Sequence, residues 1–252
     1  MLINDQALCI RVVDFSETSQ VVTFFTRQTG KVTVIAKGAK RQRSPFGGPV
    51  EIFSCGNVAF SDSGADKLAT LVEFEPLAGI VNTSVLSSDI FILNCCLLAA
   101  ELVNVLTRDY DPHQGLFDGL LKFLRDVTGL KVPPAARTAV LAQLALFQLR
   151  LLKEIGLSPV FEYCVNCKSP FSTRWPEVYF SNSAKSLICR DCQGSFPDRI
   201  ELSLQAANCF VDIKSLALAQ DAEIRQVEDI LVRYITDTLG RPPKMAKYIL
   251  NS

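Results

Sequence analysis

Four cysteines set the first chemical constraint. Cys164-x2-Cys167 and Cys189-x2-Cys192 are separated by 21 residues. Two cysteines with two residues between them can turn both sulfurs toward one metal, and two such knuckles complete a closed tetrahedral set of thiolates, the geometry preferred by structural Zn2+. The spacing predicts one such ion, held by Cys164, Cys167, Cys189 and Cys192. Glu177–Ser181 and Lys185–Ile188 flank Asn182-Ser183 as a hairpin, which makes the segment a zinc ribbon. Gly194, just past the second knuckle, is expected at positive φ, freeing backbone amides to face the thiolates. Four thiolates leave no open position for water or substrate, so the ion would be a staple rather than a catalyst. Two other readings are four unrelated buried cysteines and a redox CxxC pair. No thioredoxin-like βαβ pattern surrounds either pair. The other cysteines, Cys9, Cys55, Cys95, Cys96 and Cys209, lie in strand or helix patterns without a neighbouring base and are expected to pack as small apolar side chains.

The second constraint is charge. Lysine plus arginine equals aspartate plus glutamate at 26 each, yet between Thr18 and Val50 there are six basic residues and no acidic one. These are Arg27, Lys31, Lys37, Lys40, Arg41 and Arg43, four of them within Lys37-Gly38-Ala39-Lys40-Arg41-Gln42-Arg43. Ser44-Pro45-Phe46-Gly47-Gly48 follows and implies a mobile loop over 40–48. Such a loop can follow a phosphate backbone without demanding a sequence. A solvated loop whose charges only aid solubility is the other reading. Phe24, Phe25 and Phe46 are the aromatics that could stack on bases, although a strand phenylalanine is more often core.

Several kinds of chemistry find no residues. His113 is the only histidine and follows Asp111-Pro112, where a helix starts. No paired-carboxylate motif and no GxxxxGK[ST] phosphate loop is present. A hydrolase with a hidden site is therefore the weakest reading. Ile90–Ala100, the longest nearly apolar run, falls well short of the roughly 20 residues that cross a bilayer. Met1-Leu2-Ile3-Asn4-Asp5 lacks the charged and apolar regions of an export signal, and nine cysteines is an odd number. A reducing cytoplasm and no membrane association are expected.

The elements that must position these residues read as α+β. Ala7–Asp14, Ser19–Thr26, Gly30–Ala36, Pro49–Phe60 and Leu68–Glu75 are rich in Val, Ile, Phe and Thr, with Thr29-Gly30 and Ser61-Asp62-Ser63-Gly64 as turns. Five strands with a long third-to-fourth connection fit an OB-type Greek-key barrel, which periodicity alone does not separate from an SH3-like one. Helices follow. Ser84, Ser87 and Ser88 are candidate caps ahead of Ile90–Leu106. Asp111-Pro112 opens a helix through Val127, and Pro133-Pro134 opens another, Ala135–Ile155, closed by Gly156. Leu204–Lys214 and Ala222–Leu239 complete the chain. The expected organisation is a barrel over 1–80 and a helical domain over 81–252, interrupted by the zinc ribbon at 160–196.

This order of parts resembles a known family. Ser16-Glu17-Thr18-Ser19-Gln20-Val21-Val22-Thr23-Phe24-Phe25-Thr26, then Thr29-Gly30-Lys31, then Val34-Ile35-Ala36-Lys37-Gly38-Ala39-Lys40-Arg41 and Ser44 look like the N-terminal signature of the RecO family of bacterial DNA repair proteins. Phe147-Gln148-Leu149-Arg150-Leu151-Leu152-Lys153-Glu154-Ile155-Gly156 resembles its helix before the zinc module. Leu239-Gly240-Arg241-Pro242-Pro243-Lys244 is similar to its closing segment, with Pro243 and Met245 departing from it. The resemblance implies a non-enzymatic recombination mediator, cytoplasmic and nucleoid-associated. It would bind single- and double-stranded DNA, anneal complementary strands and, with RecR, load RecA onto strands coated by single-stranded DNA-binding protein. It places the 37–43 stretch on the DNA-binding face. It also implies contact with the acidic, apolar C-terminal tail of the coating protein, for which Arg137, Arg150 and Lys153 among the leucines of the third long helix are candidates. A zinc-ribbon/OB module of transcription or RNA metabolism is the alternative function; matched RNA and DNA oligonucleotides would separate the two.

Overall fold

The computed structural model describes residues 1–61, 68–129 and 137–250. Contacts divide the chain into two compact units, residues 1–129 and 130–252. The first holds β1 (Leu2–Asp14), β2 (Gln20–Thr26), β3 (Gly30–Ala36), β4 (Cys55–Ser61), β5 (Ala69–Pro76) and the helices α1 (Thr83–Ser88), α2 (Ile90–Leu106) and α3 (Gln114–Gly129). The strands close into a barrel of order β1-β2-β3-β5-β4, with β4 returning to β1 and β3 parallel to β5. This is a five-stranded OB-type Greek key. β1 spans both halves: Leu2–Leu8 pair with β4 and Ala7–Asp14 with β2, and a bulge between Cys9 and Arg11 bends the strand at the handover. Alternate residues, among them Val22, Phe24, Val32, Val34, Phe60, Leu71 and Phe74, fill the interior.

Part of the barrel's outside is also dry. Phe25 lies against Phe117 of α3 with ring centroids 6.1 Å apart, and Leu8 is buried. The turn between β2 and β3 is held by the buried carboxylate of Asp5, which accepts from Gln28 N, Thr29 N and the Thr29 hydroxyl at 2.8–3.2 Å. Gly30 sits there at φ +85°, and a Cβ on it would lie 2.4 Å from the carbonyl oxygen of Asp111, so the close approach of that backbone as well as the turn requires glycine.

Two sequence expectations change. The fourth strand begins at Cys55 instead of Pro49, because Val50 and Phe53 bury their side chains from irregular backbone and only imitate a strand's alternation; Phe53 stands at φ +66°. α2 is capped by Asp89, whose carboxylate accepts from Phe91 N and Ile92 N at 2.9 and 3.1 Å, while Ser84, Ser87 and Ser88 belong to the short α1. Asp62, Ser63, Gly64, Pro133 and Pro134 lie outside the described residues.

The second unit is built on α4 (Arg137–Glu154) and α7 (Asp221–Leu239), with α5 (Leu204–Val211), α6 (Ile213–Leu216) and α8 (Lys247–Leu250) around them. α4 ends in the expected glycine: Gly156 takes φ +73°, Leu157 N donates to Leu152 O and Gly156 N to Lys153 O, a Schellman closure. Between α4 and α5 lies a three-stranded sheet of order β7-β6-β8, made of β6 (Val178–Ser181), β7 (Ser186–Cys189) and β8 (Arg199–Leu202). The hairpin is as expected; its third strand is not foreseen by the knuckle spacing. Phe180 of β6 packs near Phe161 and Tyr234, and Phe161 stacks on Phe210 at 4.3 Å, which welds the ribbon to the helices. Among the described residues no helix is long and apolar enough to cross a membrane.

Candidate nucleic-acid interface and metal centre

The basic segment begins where β3 ends. Gly38 turns the chain at φ +73°, its N–H donates to the Ser19 hydroxyl at 3.3 Å, and Lys40 N donates to Thr18 O at 3.1 Å. Ala39, Phe46 and Val50 enter the barrel core, and Gln20 holds Val50 from both sides, accepting from its N–H at 2.9 Å and donating to its carbonyl at 3.4 Å. The segment expected as a mobile loop over 40–48 is a series of turns pinned to the barrel, because Phe46 within it and Ala39 and Val50 on either side of it are core. Its charges stay outside. Lys37, Arg41 and Arg43 are exposed and make no ion pair among the described residues. Lys40 reaches Asp14 at 2.8 Å and Arg27 reaches Asp118 at 3.1 Å; both pairs are open to solvent, hence weak and exchangeable.

Lys31 does not belong with them. It is only 9% exposed, and its ammonium donates to Asn104 O at 2.6 Å and Thr107 O at 2.8 Å, with Asp109 at 3.3 Å. It caps the carboxyl end of α2, where free carbonyls and the helix dipole favour a cation. Its ammonium is already engaged by these three oxygens and is not presented to a phosphate. Phe24, Phe25 and Phe46 are likewise buried and offer no face for stacking. Two exposed residues that the sequence reading missed stand on the outer face of β1: Arg11, and Phe15 where β1 turns toward β2.

In the ribbon, the four sulfurs of Cys164, Cys167, Cys189 and Cys192 lie within 4.8 Å of one another. The Cys167 and Cys189 sulfurs are 3.7 Å apart, far beyond a disulfide and close to the edge of about 3.8 Å expected for a tetrahedron with metal–sulfur bonds of about 2.3 Å. The first knuckle turns at Lys168, at φ +61°, whose N–H donates to Cys164 O. In the second, a 3-10 turn over Arg190–Ser195 brings Cys192 back toward Cys189. Gly194 lies inside this turn and is not at positive φ, so the tighter helical turn replaces the left-handed residue expected there. Donors face the sulfurs: Cys189 N lies 3.5 Å from the Cys164 sulfur and the Asn166 amide 3.3 Å from that of Cys192. Burial pushes the Cys164 thiol up, but hydrogen bonds from the backbone of Cys167, Cys189 and Asn166 outweigh it and bring the group down to about 7. Tyr179, Ile188, Val165, Trp175 and Phe196 close over the cluster. These residues fit a metal ion. The remaining thiols differ: burial pushes Cys9 and Cys96 up to about 12, which leaves them inert.

The candidate tail-binding residues are not brought together. Arg137 opens α4 and Arg150 lies 13 residues later, about 20 Å along the axis. The leucines Leu141, Leu144, Leu151 and Leu152 are buried, with α4 packed on α7, and form no open groove between these cations. Arg150 and Lys153 are exposed about one turn apart.

Two family models match the chain: "Recombination protein O N terminal" over residues 1–80 and "Recombination protein O C terminal" over residues 87–247. Among curated relatives, the "DNA repair protein RecO" of Anaeromyxobacter dehalogenans (strain 2CP-C) is 28% identical over 240 residues, covering 92% of this chain and 89% of its own. The protein of the same name from Bacillus subtilis (strain 168) is 28% identical over 240 residues, covering 91% and 88%. That of Rhodopirellula baltica is 27% identical over 240 residues, covering 95% and 82%.

Proposed function

The chain belongs to the RecO family of DNA repair proteins, and from that premise we propose a recombination mediator that acts by binding alone. It holds single- and double-stranded DNA on the pinned turns after β3, anneals complementary strands, and with RecR helps load RecA onto single strands covered by single-stranded DNA-binding protein. It works in the cytoplasm, at the nucleoid. The observation that carries the reading is the outward set Lys37, Lys40, Arg41 and Arg43 on a backbone fixed to an OB-type barrel. Arg27 adds a cation whose partner Asp118 a phosphate can displace. The ribbon holds one Zn2+, because a closed set of four thiolates suits that ion and serves stability rather than chemistry. For the acidic residues of the coating protein's tail, the exposed Arg150 and Lys153 at the end of α4 are the proposed charge contact, made without an apolar groove; an unchanged tail-peptide affinity in Arg150→Glu, Lys153→Glu would rule it out.

Salt-dependent binding tests the central claim. If three or four phosphates are neutralised by these turns, log affinity for single strands falls against log salt with a slope of roughly −2 to −3 from this source. Alanine at Lys37, Lys40, Arg41 and Arg43 flattens that slope and weakens unrelated sequences equally, with the fold intact. A folded variant with wild-type slope and affinity would mean that DNA binds elsewhere.

A further inference from the structure

The outer face of the barrel has two halves. One is covered by α3, as at Phe25; the other, across β1, β2 and β3, is partly exposed, with Thr23 buried within it. Strand register arranges that half in rows. Arg11 stands opposite Thr23, and Thr23 opposite Thr33; Val13 stands opposite Val21, Val21 opposite Ile35, and Ile35 opposite Thr70. The same register carried one step further sets Phe15 across from Ser19, whose carbonyl accepts the Phe15 N–H at 3.0 Å, and Ser19 across from Lys37. A row of Val13, Val21 and Ile35, none of them fully buried, is thus bounded by Arg11 at one end and by Phe15 and Lys37 at the other. A solvated sheet face is ordinarily polar at such positions.

Phe15 is the most unusual member. The residue is 63% exposed, yet its backbone is fixed: Ser16 N also donates to Ser19 O, and Ser19 N to the Ser16 hydroxyl. Two carboxylates share this tip, Asp14, which is engaged by Lys40, and Glu17, which is exposed. Cations dominate the surroundings, with Arg11 on β1 and Lys37, Arg41 and Arg43 on the adjoining turns. An exposed aromatic ring on a hydrogen-bonded tip among cations matches one occupant: a single strand, whose free bases stack on the ring while its phosphates meet the lysines and arginines. A duplex keeps its bases stacked on each other and cannot use the ring.

We propose that Phe15, at the head of the Val13–Val21–Ile35 row, is a base-stacking platform that adds to the binding of single-stranded DNA and not to that of duplex DNA. This rests on the reading of the adjacent basic turns as the phosphate contact. The test compares binding of a fluorescent oligo-dT and of a matched duplex by the full-length chain across a salt series. Phe15→Ala lowers oligo-dT affinity at least about fivefold, the small end of the range for losing one base–aromatic stack. It leaves duplex affinity within twofold, the salt slope unchanged and thermal unfolding unaltered. Phe15→Trp restores oligo-dT affinity, and its added fluorescence is quenched on saturation, over the background of Trp175 in the wild type. Equal losses for both DNAs, no loss at all, or an unquenched Phe15→Trp would overturn the proposal. So would a loss of self-association in Phe15→Ala with DNA binding intact, which would give the face to a second copy of the chain. The alanine set at Lys37, Lys40, Arg41 and Arg43 keeps the two readings apart. A flattened slope there with an unaffected Phe15→Ala rejects the platform alone, whereas an unchanged slope rejects the basic turns.

Discussion

At Lys31 the ammonium is enclosed by two carbonyls at the end of α2 and by Asp109, whereas at Lys37, six positions on, it stands in solvent. The two are indistinguishable as charges in a sequence. What separates them is a segment more than seventy residues away, whose arrival beside β3 no local pattern announces. Replacing Lys31 by methionine therefore acts on stability. With both carbonyls stripped of a charged donor, the loss is about 2–3 kcal/mol, read by chemical denaturation, while the salt slope of DNA binding stays at its wild-type value. A Lys31→Met protein of normal stability and flatter slope would return this lysine to the phosphate contacts. The four ribbon cysteines are the opposite case. Their convergence was legible because metal geometry is imposed by close spacing within each knuckle.

Elements were legible where their ends are decided locally. α2 runs over the expected Ile90–Leu106 because its apolar run is bounded by a cap and a turn, and α4 stops where Gly156 allows it. β4 was misjudged at its start because Val50 and Phe53 are buried by partners distant in the chain. The pairing of α4 with α7 shows a further contact of this long-range kind. Glu228, 1% exposed, receives the Gln148 amide on both carboxylate oxygens, at 2.7 and 2.8 Å. Burial pushes the carboxyl up from 4.5 to about 7, with the Gln148 hydrogen bond opposing it only in part. The folded state thus holds a proton that the unfolded chain releases, and the sign follows. Glu228 contributes its full stabilisation below the unfolded value, and loses it as the pH rises through about 7, a change of order 3 kcal/mol. Glu228→Gln removes this dependence, so denaturation at a series of pH values shows the variant gaining on the wild type between pH 4.5 and 7. Parallel curves would mean that Glu228 is ionised throughout.

At the scale of the molecule, the two compact units separate the candidate functions, with the basic turns in the first and the thiol cluster in the second. Metal removal is then expected to have a confined effect. A mercurial with chelator releases one equivalent of Zn2+, and the emission of Trp175, the single tryptophan and part of the apolar cover over the cluster, shifts as the ribbon loosens. Cys189→Ser reproduces both changes. DNA binding by the first unit keeps its salt slope in either case; a loss of more than tenfold in affinity would show that the ribbon is needed for it. The zero net charge of the whole chain hid the first unit's basic stretch from composition and exposed it only to a residue-by-residue count.

The anchoring of Ala39, Phe46 and Val50 in the barrel has a consequence in time. A coil of comparable length would surrender about 1–2 kcal/mol of backbone entropy for each residue it ordered on a ligand. Here that loss is met when the barrel folds, before any strand arrives. If the proposed phosphate contacts are made here, each encounter forms and dissolves them without rebuilding the turns, so a bound strand would be free to slip from one phosphate to the next. On the proposed annealing function, two strands held in this way would keep moving past each other until their bases found a common register.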